Sequence, residues 1–600
     1  MLNVVLPHGR NRCRFPVMPV FYFILISLIL SCKTDRQVEH TAEMHIRLAK
    51  EPELLNPFTN TKPVAREVYQ YIFLPLADFD PKTLEFSPIM IKSIPSMQEV
   101  TVGSHKGQKS LTFEIVDDAR WQDGRPITAN DYLFTIKAIM NPQTDAAAHR
   151  SFVKNIHDVE VDPSNNKKAT VYFDKFHMLN KEIALNFEIY PKHIYDPNSM
   201  MDKLNFSDII DEKKFGKLLL KDSTISAFAK EFNSTKYGRE VIAGSGPYSF
   251  KTWSTGQQII LEKKQNYWGS KYSSPYLKAG AEKLIFDVIP DETAAIAALK
   301  GGDIDLMTTT NGTAFQQLKD DAAWKDKLNF FSPKLMKYYF LVLNNKDPKL
   351  QGLKTRRALA HLTDVNRFIT TFEGGNAERT VGPFNPAKRY YNRTLTPIEY
   401  NIDKAKALLA EDGWKDSDNN GILDKKINGK KTELKLDAYA SGEVGKNICL
   451  LLQESFKQCN IQLEVNQKEF KLITSENLEK GKFSIVPTVQ TQEVVDDDLE
   501  LSYHSKNAVK GGRNYGGFKN PVIDELIVKI QKEVNTTIRD EYYRQFQQIV
   551  YDQQPYIFLY VPHEKIIVSK RWKGEASTKR PGYNANAFNL VPEFAKSNAN

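Results

Sequence analysis

Apolar and polar positions change period along the chain, and the change is clearest at 111–142. Leu111, Phe113 and Ile115 alternate with Thr112 and Glu114, which predicts a half-buried strand. Asp123-Gly124 and Pro126 mark a turn. Thr128 and Asp131 stand at capping-box spacing, so Thr128 is the predicted N-cap. Tyr132, Leu133, Ile136, Ile139 and Met140 then make the stripe of an amphipathic helix, which Pro142 ends at Asn141. Further strand patterns fall at 45–48, 167–173, 284–289, 434–438, 461–465 and 555–561. The near-continuous apolar run 339–345 predicts a strand covered on both faces. Helical patterns fall at 215–232, 293–299, 352–362, 404–412, 447–458 and 539–552, with another starting at Asn520-Pro521.

The first 42 residues follow a different pattern. Arg10, Arg12 and Arg14 precede an apolar run, 15–30, and then Ser31-Cys32, the order of a secretory signal. The run is short of the about 20 apolar residues that span a bilayer. Ile29-Leu30-Ser31-Cys32 resembles a bacterial lipobox, which implies that Cys32 is lipidated and starts the mature chain. Polar 33–41 reads as a tether that holds a domain at a membrane surface. A plain signal peptide with an incidental cysteine is the alternative.

Composition adds limits. The 600 residues suffice for two to four domains, and 41% hydrophobic content is globular. The net charge of +9 falls to +6 without the three leader arginines, and no basic run reads as a nucleic-acid tail. Cys13, Cys32, Cys449 and Cys459 form neither a disulfide framework nor a metal cluster. Cys449 and Cys459 are expected in one helix, about 15 Å apart, as small core residues.

Enzyme signatures are missing: there is no HExxH, paired CxxC, GxSxG or Walker pattern, so neither catalysis nor a cofactor is expected. The turn Gly244-Ser245-Gly246-Pro247-Tyr248 lacks both phosphate-loop spacings. Asp416-Ser417-Asp418-Asn419-Asn420-Gly421 imitates a calcium loop, but position twelve is Ile427 where a bidentate Glu is needed, so a turn is read. The run Asp496-Asp497-Asp498 reads as a solvated loop rather than a metal site, and His563 as packed or solvent-facing.

Trp121, Asp123, Gly124, Pro126, Thr128, Ala129 and Asp131 resemble the W-x-DG-x-P-x-TA-x-D segment of the oligopeptide- and dipeptide-binding proteins of ABC importers, solute-binding family 5. Glu51-Pro52 with Leu55-Asn56-Pro57, and Gly244 to Gly269 with its GSGPY and YWG ends, match the same family in order. So do Gly302-Asp303-Ile304-Asp305, Arg356 with Ala358 and Leu359, and the tail from Asn520-Pro521 to Pro555. The resemblance runs from about 46 to about 572.

It implies an α/β, two-lobed periplasmic-binding-protein fold (type II, cluster C-like) with an extra domain inserted in the first lobe. By analogy the first lobe comprises 43–68, 185–287 and 553–600, the insert 69–184 and the second lobe 288–552, after a leader 1–31 and tether 32–42. The lobes close on a ligand by hinge motion, and peptides bind as an added strand. The partners implied are a peptide or other small solute, an ABC permease and a membrane met through the lipid anchor, with the protein a monomer in the bacterial cell envelope. In peptide binders of the family an Asp ten residues after a strand-starting Phe pairs with the ligand ammonium. Counting ten from Phe483 gives Glu493, with Asp496 as the alternative anchor. Three further readings stay open: the same fold binding an oligosaccharide or metal chelate, an exported hydrolase, and a scaffold lipoprotein.

Overall fold

The computed structural model describes residues 42–595, so the leader, Cys32 and the tether up to 41 lie outside the described residues. A seven-stranded sheet runs in the order Leu328–Phe331, Ile566–Ser569, Leu306–Thr308, Glu43–Leu48, Lys283–Val288, Gln258–Lys263, Tyr248–Ser254. A five-stranded sheet runs Gln462–Gln467, Lys435–Ala440, Ile485–Thr491, Lys337–Leu343, Tyr556–Phe558. A third, four-stranded sheet, Gln98–Glu99, Lys109–Glu114, Lys168–Phe173, Ile156–Val161, lies within the insert.

The strand–turn–helix unit forms as its periodicity predicts, with strand Lys109–Glu114 and helix Ala129–Met140. Thr128 caps the helix through Asp131: its backbone N–H and its hydroxyl both donate to Asp131 Oδ2, at 2.8 and 3.0 Å. Trp121 Nε1 donates to the same oxygen at 3.4 Å. The motif residues thus converge on one buried carboxylate and hold the helix start against the strand end. Gly244 and Gly246 have a packing role too. A Cβ on either would stand 2.3 Å from the carbonyl oxygen of Ile72 or Tyr71, and the Gly246 N–H donates to Ile72 O at 2.7 Å.

Strand Lys337–Leu343 is buried on both faces. Tyr338, Phe340 and Val342 enter one hydrophobic cluster, Leu341 and Leu343 another. The 555–561 run, read as one strand, is two: Tyr556–Phe558 joins the five-stranded sheet, and Tyr560–Pro562 pairs with Ala377–Arg379. Cys449 and Cys459 are both buried, but only Cys449 is helical, because helix Gly442–Lys457 stops before Cys459.

Two segments cross between the large sheets and run antiparallel to each other. Leu335 N–H donates to Pro562 O at 2.9 Å and Glu564 N–H to Pro333 O at 2.8 Å. The pairing shifts the domain limits read from the sequence. Leu306–Thr308 and Leu328–Phe331, placed with the second lobe, pair antiparallel with Ile566–Ser569 in the first sheet. Tyr556–Phe558, placed with the first lobe, pairs with Lys337–Leu343 in the second. We therefore place the crossings at 332–336 and 559–565.

Candidate ligand cleft

The second-lobe wall of the cleft is built on strand Ile485–Thr491. One side of that strand pairs along its length with Lys337–Leu343. The other meets Lys435–Ala440 only at Ile485, so among the described residues Pro487 to Thr491 have no strand partner there. Val489, Gln490 and Thr491 are exposed on this edge. A turn then carries Glu493 to Asp498.

Lys388 holds that turn from behind. Its buried ammonium donates to the carbonyls of Glu493 at 2.6 Å, Val494 at 3.2 Å and Val495. Burial pushes the Lys388 pKa down, against the pull of Asp497 and Asp496. Next to it Arg389 makes a bidentate pair with Asp496, 2.6 Å to each oxygen. Arg539 adds bonds of 3.0 and 3.1 Å to Asp496 Oδ2. Burial alone would raise the Asp496 pKa, but Arg389 and Arg539 outweigh it and hold this carboxyl below its usual range. Asp497 accepts from the Tyr390 hydroxyl at 2.7 Å and Gln492 Nε2 at 2.9 Å.

The reading of Asp496-Asp497-Asp498 as a solvated loop is therefore corrected. Asp496 is 8% exposed and Asp497 half-buried, and only Asp498 is exposed. Cations from distant segments supply the counter-charge that allows burial. As an anchor, Asp496 has both oxygens committed to guanidinium groups. Glu493 is exposed, and no cation lies within ion-pair distance of it among the described residues.

The facing wall comes from the first lobe and the insert. Helix Pro63–Tyr69 presents Arg66 and Glu67. Burial opposes the charge on Arg66, yet Tyr69, Asp78, Glu188 and Glu493 together raise its pKa. Lys579 pairs with Asp78, and its pKa is lowered by burial while Asp78 and Glu493 act the other way. Glu493 thus acts electrostatically on two cations of the opposite wall. Beside the crossings, burial lifts the Glu67 pKa to about 8, with Glu564 adding to the rise.

A cavity of about 510 Å³ lies between the insert and the second lobe, with Val494 and Asp496 of the Glu493 turn in its lining. Phe79, Phe86, Met97 and Met178 line one side; Arg389, Asp496, Val534 and Arg539 line the other. Its lining is mixed, with apolar side chains beside charged ones such as Lys181, Glu182, Arg389 and Arg539, and a concave recess with polar groups converging on it is a usual form of small-ligand site. Glu182 also faces it, with a buried Oε2 that has no hydrogen-bond partner and a pKa raised by burial to about 7. Lys388, Arg389, Arg66 and Glu182 escaped the sequence reading, because only the folded chain brings them to one cleft.

The calcium-like loop is closed by its own backbone. Asp416 accepts from the N–H groups of Asn420 at 3.1 Å and Gly421 at 2.9 Å, and Lys431 pairs with Asp418 at 2.6 Å. His563 is half-buried, and burial lowers its pKa. No helix among the described residues is long and apolar enough to cross a membrane.

Three comparisons bear on this geometry. The family description "Bacterial extracellular solute-binding proteins, family 5 Middle" matches residues 95–512. The oligopeptide-binding protein AppA of Bacillus subtilis is 26% identical over 542 residues, covering 89% of each chain. Its structure with a nonapeptide superposes with a TM-score of 0.61 at 23% identity, over 92% of this chain and 99% of that one. NikZ of Campylobacter jejuni, solved with Ni(L-His), gives a TM-score of 0.61 at 20% identity, over 92% and 99%. The mixed α/β architecture is thus that of the two-lobed, cluster C binding proteins.

Proposed function

The chain belongs to the bacterial extracellular solute-binding proteins of family 5, which bind rather than transform their ligands, and on that premise we propose that it captures peptides between its lobes and delivers them to an ABC permease. The observation that carries this reading is the unpaired edge Pro487 to Thr491, followed directly by the exposed carboxylate of Glu493. A peptide added to that edge satisfies its backbone groups on the strand, and its ammonium meets Glu493. Asp496 serves as a positioning group: it fixes Arg389, whose neighbour Lys388 holds the Glu493 turn. Lipidation at Cys32 anchors the protein at the envelope.

A second reading, an anionic metal chelate in place of the peptide, draws on Arg66 and Lys579, the cations that face Glu493. Native mass spectrometry of residues 33–600, before and after mild denaturation, separates the two. A releasable series of short peptides supports the first reading. A single chelate mass replaces it while keeping the fold, and an empty cleft that ignores a peptide library rejects both.

A further inference from the structure

Outside the cleft, the outer face of the insert's sheet gathers a second group of polar side chains. His105 lies between Gln98–Glu99 and Lys109–Glu114, and Asp158 and Glu160 lie two apart on Ile156–Val161. The ligand atoms of these three residues all fall within 4.8 Å of one another. His105 Nε2 is 3.5 Å from Asp158 Oδ2 and 3.3 Å from Glu160 Oε1. A charge-assisted N–H···O bond spans about 2.7–2.9 Å. The edge of a tetrahedron with metal–ligand bonds of about 2.0–2.1 Å is about 3.4 Å. The spacing fits corners of a cation's coordination shell better than a direct ion pair.

The surroundings fix each ligand atom. Gln108 donates its amide to Asp174 at 3.5 Å and turns Oε1 to His105 Nδ1 at 2.8 Å. An amide oxygen only accepts, so Nδ1 carries a proton, and Nε2 is the ring nitrogen turned to the two carboxylates. Metal-binding histidines make this outer hydrogen bond. The Tyr172 hydroxyl donates to Glu160 Oε2 at 2.8 Å, which leaves Oε1 free, and its ring stacks on His105 at 3.9 Å. A bulge between Ile156 and Asp158 brings His157 alongside, its ring 6.0 Å from that of His105 and its Nδ1 2.8 Å from Asp174. The His105 side chain is 12% exposed and that of Glu160 54%, so the pocket is formed yet open to solvent.

We propose that His105, Asp158 and Glu160 bind a divalent transition cation of the zinc class, clamping the loop at 100–108 to strand Ile156–Val161. The test is calorimetric titration of zinc into the mature chain, with cobalt(II) absorption as a coordination probe. One equivalent is expected, with His105→Gln and Glu160→Gln each weakening binding tenfold or more. Gln108→Leu should weaken it about 10–100-fold, the range for outer-shell partners. Glu493→Gln should leave it unchanged, which separates this site from the cleft. Thermal melts without metal verify folding, and Glu160 is exposed enough for its variant to fold if His105→Gln does not. Zinc affinity equal to wild type in the folded variants, or no heat and no cobalt band at millimolar metal, overturns the proposal.

Discussion

Two carboxylate groups flank the cleft, one buried and one half-buried, and they differ most in their counter-charge. On the second-lobe wall Asp496 is enclosed by Arg389 and Arg539 and held below its usual range. Beside the crossings Glu67 and Glu564 lie near each other, no ion pair within 4 Å engages Glu67 among the described residues, and its pKa reaches about 8. The first group is a finished structural element. In the second, burial and the neighbouring acid favour the protonated form of Glu67, and only Arg47 acts against the rise. The contrast teaches that the protonation of an acid in the wall depends on which cations the fold brings to it.

The largest effect is expected on the fastened side. Asp496→Ala strands Arg539, whose side chain is only 10% exposed. Losing one partner of a buried pair costs about 3–5 kcal/mol. Urea unfolding of Asp496→Ala, Arg539→Met and the double variant should give a double-variant loss smaller than the sum of the singles. Additive losses would mean that the two do not act as one unit. The pH dependence carries the same sign. The Asp496 pKa is depressed, so its contribution is complete above the unfolded value near 3.9 and is lost as pH falls through the lower native value.

Glu493 breaks the comparison differently, being acidic and exposed. Glu493→Gln should leave the unfolding midpoint unchanged yet weaken peptide binding by about 1.5–3 kcal/mol, the worth of a charged hydrogen bond. Unchanged peptide affinity by calorimetry would remove the ammonium role. Lys388→Met probes whether the wall positions Glu493. Losing bonds to three successive carbonyls should cost about 1–2 kcal/mol in affinity and speed amide exchange at 493–495. Slow exchange in that variant would show the turn to be held by other contacts.

These groups also mark where sequence reading reaches its limit. The strand–turn–helix unit around Trp121 and Asp131 was legible because its bonds are local: Thr128 and Asp131 are three residues apart. The buried state of Asp496 was not, since Arg389 is 107 residues away and Arg539 is 43 away. An acidic triplet alone reads as a solvated loop, and only the fold supplies its cations. Likewise the motif at 302–305 was recognisable, but the strand Leu306–Thr308 that follows it was not read, and its partner Ile566–Ser569 is far along the chain, so its lobe was misplaced. The position of Glu493 could be counted from Phe483, whereas the open edge before it depends on where Lys435–Ala440 stops pairing.

The smallest effect, and the one that sharpens the contrast most, is expected at Glu67. Its native pKa of about 8 lies above the unfolded value of about 4.3, so the native state holds the proton more tightly. This stability is present below about pH 4.3 and is lost as pH rises through about 8, the reverse of Asp496. Glu67→Gln removes the ionisation while keeping the shape. Its gain over wild type should be nil near pH 4 and grow to about 1 kcal/mol at pH 8, a figure discounted because solvent reaches this half-buried side chain. Melting curves of the ligand-free chain at the two pH values measure it. A gain of equal size at both would trace the change to packing, and the difference between the two acidic groups would then lie in burial alone, with Glu564 playing no electrostatic part.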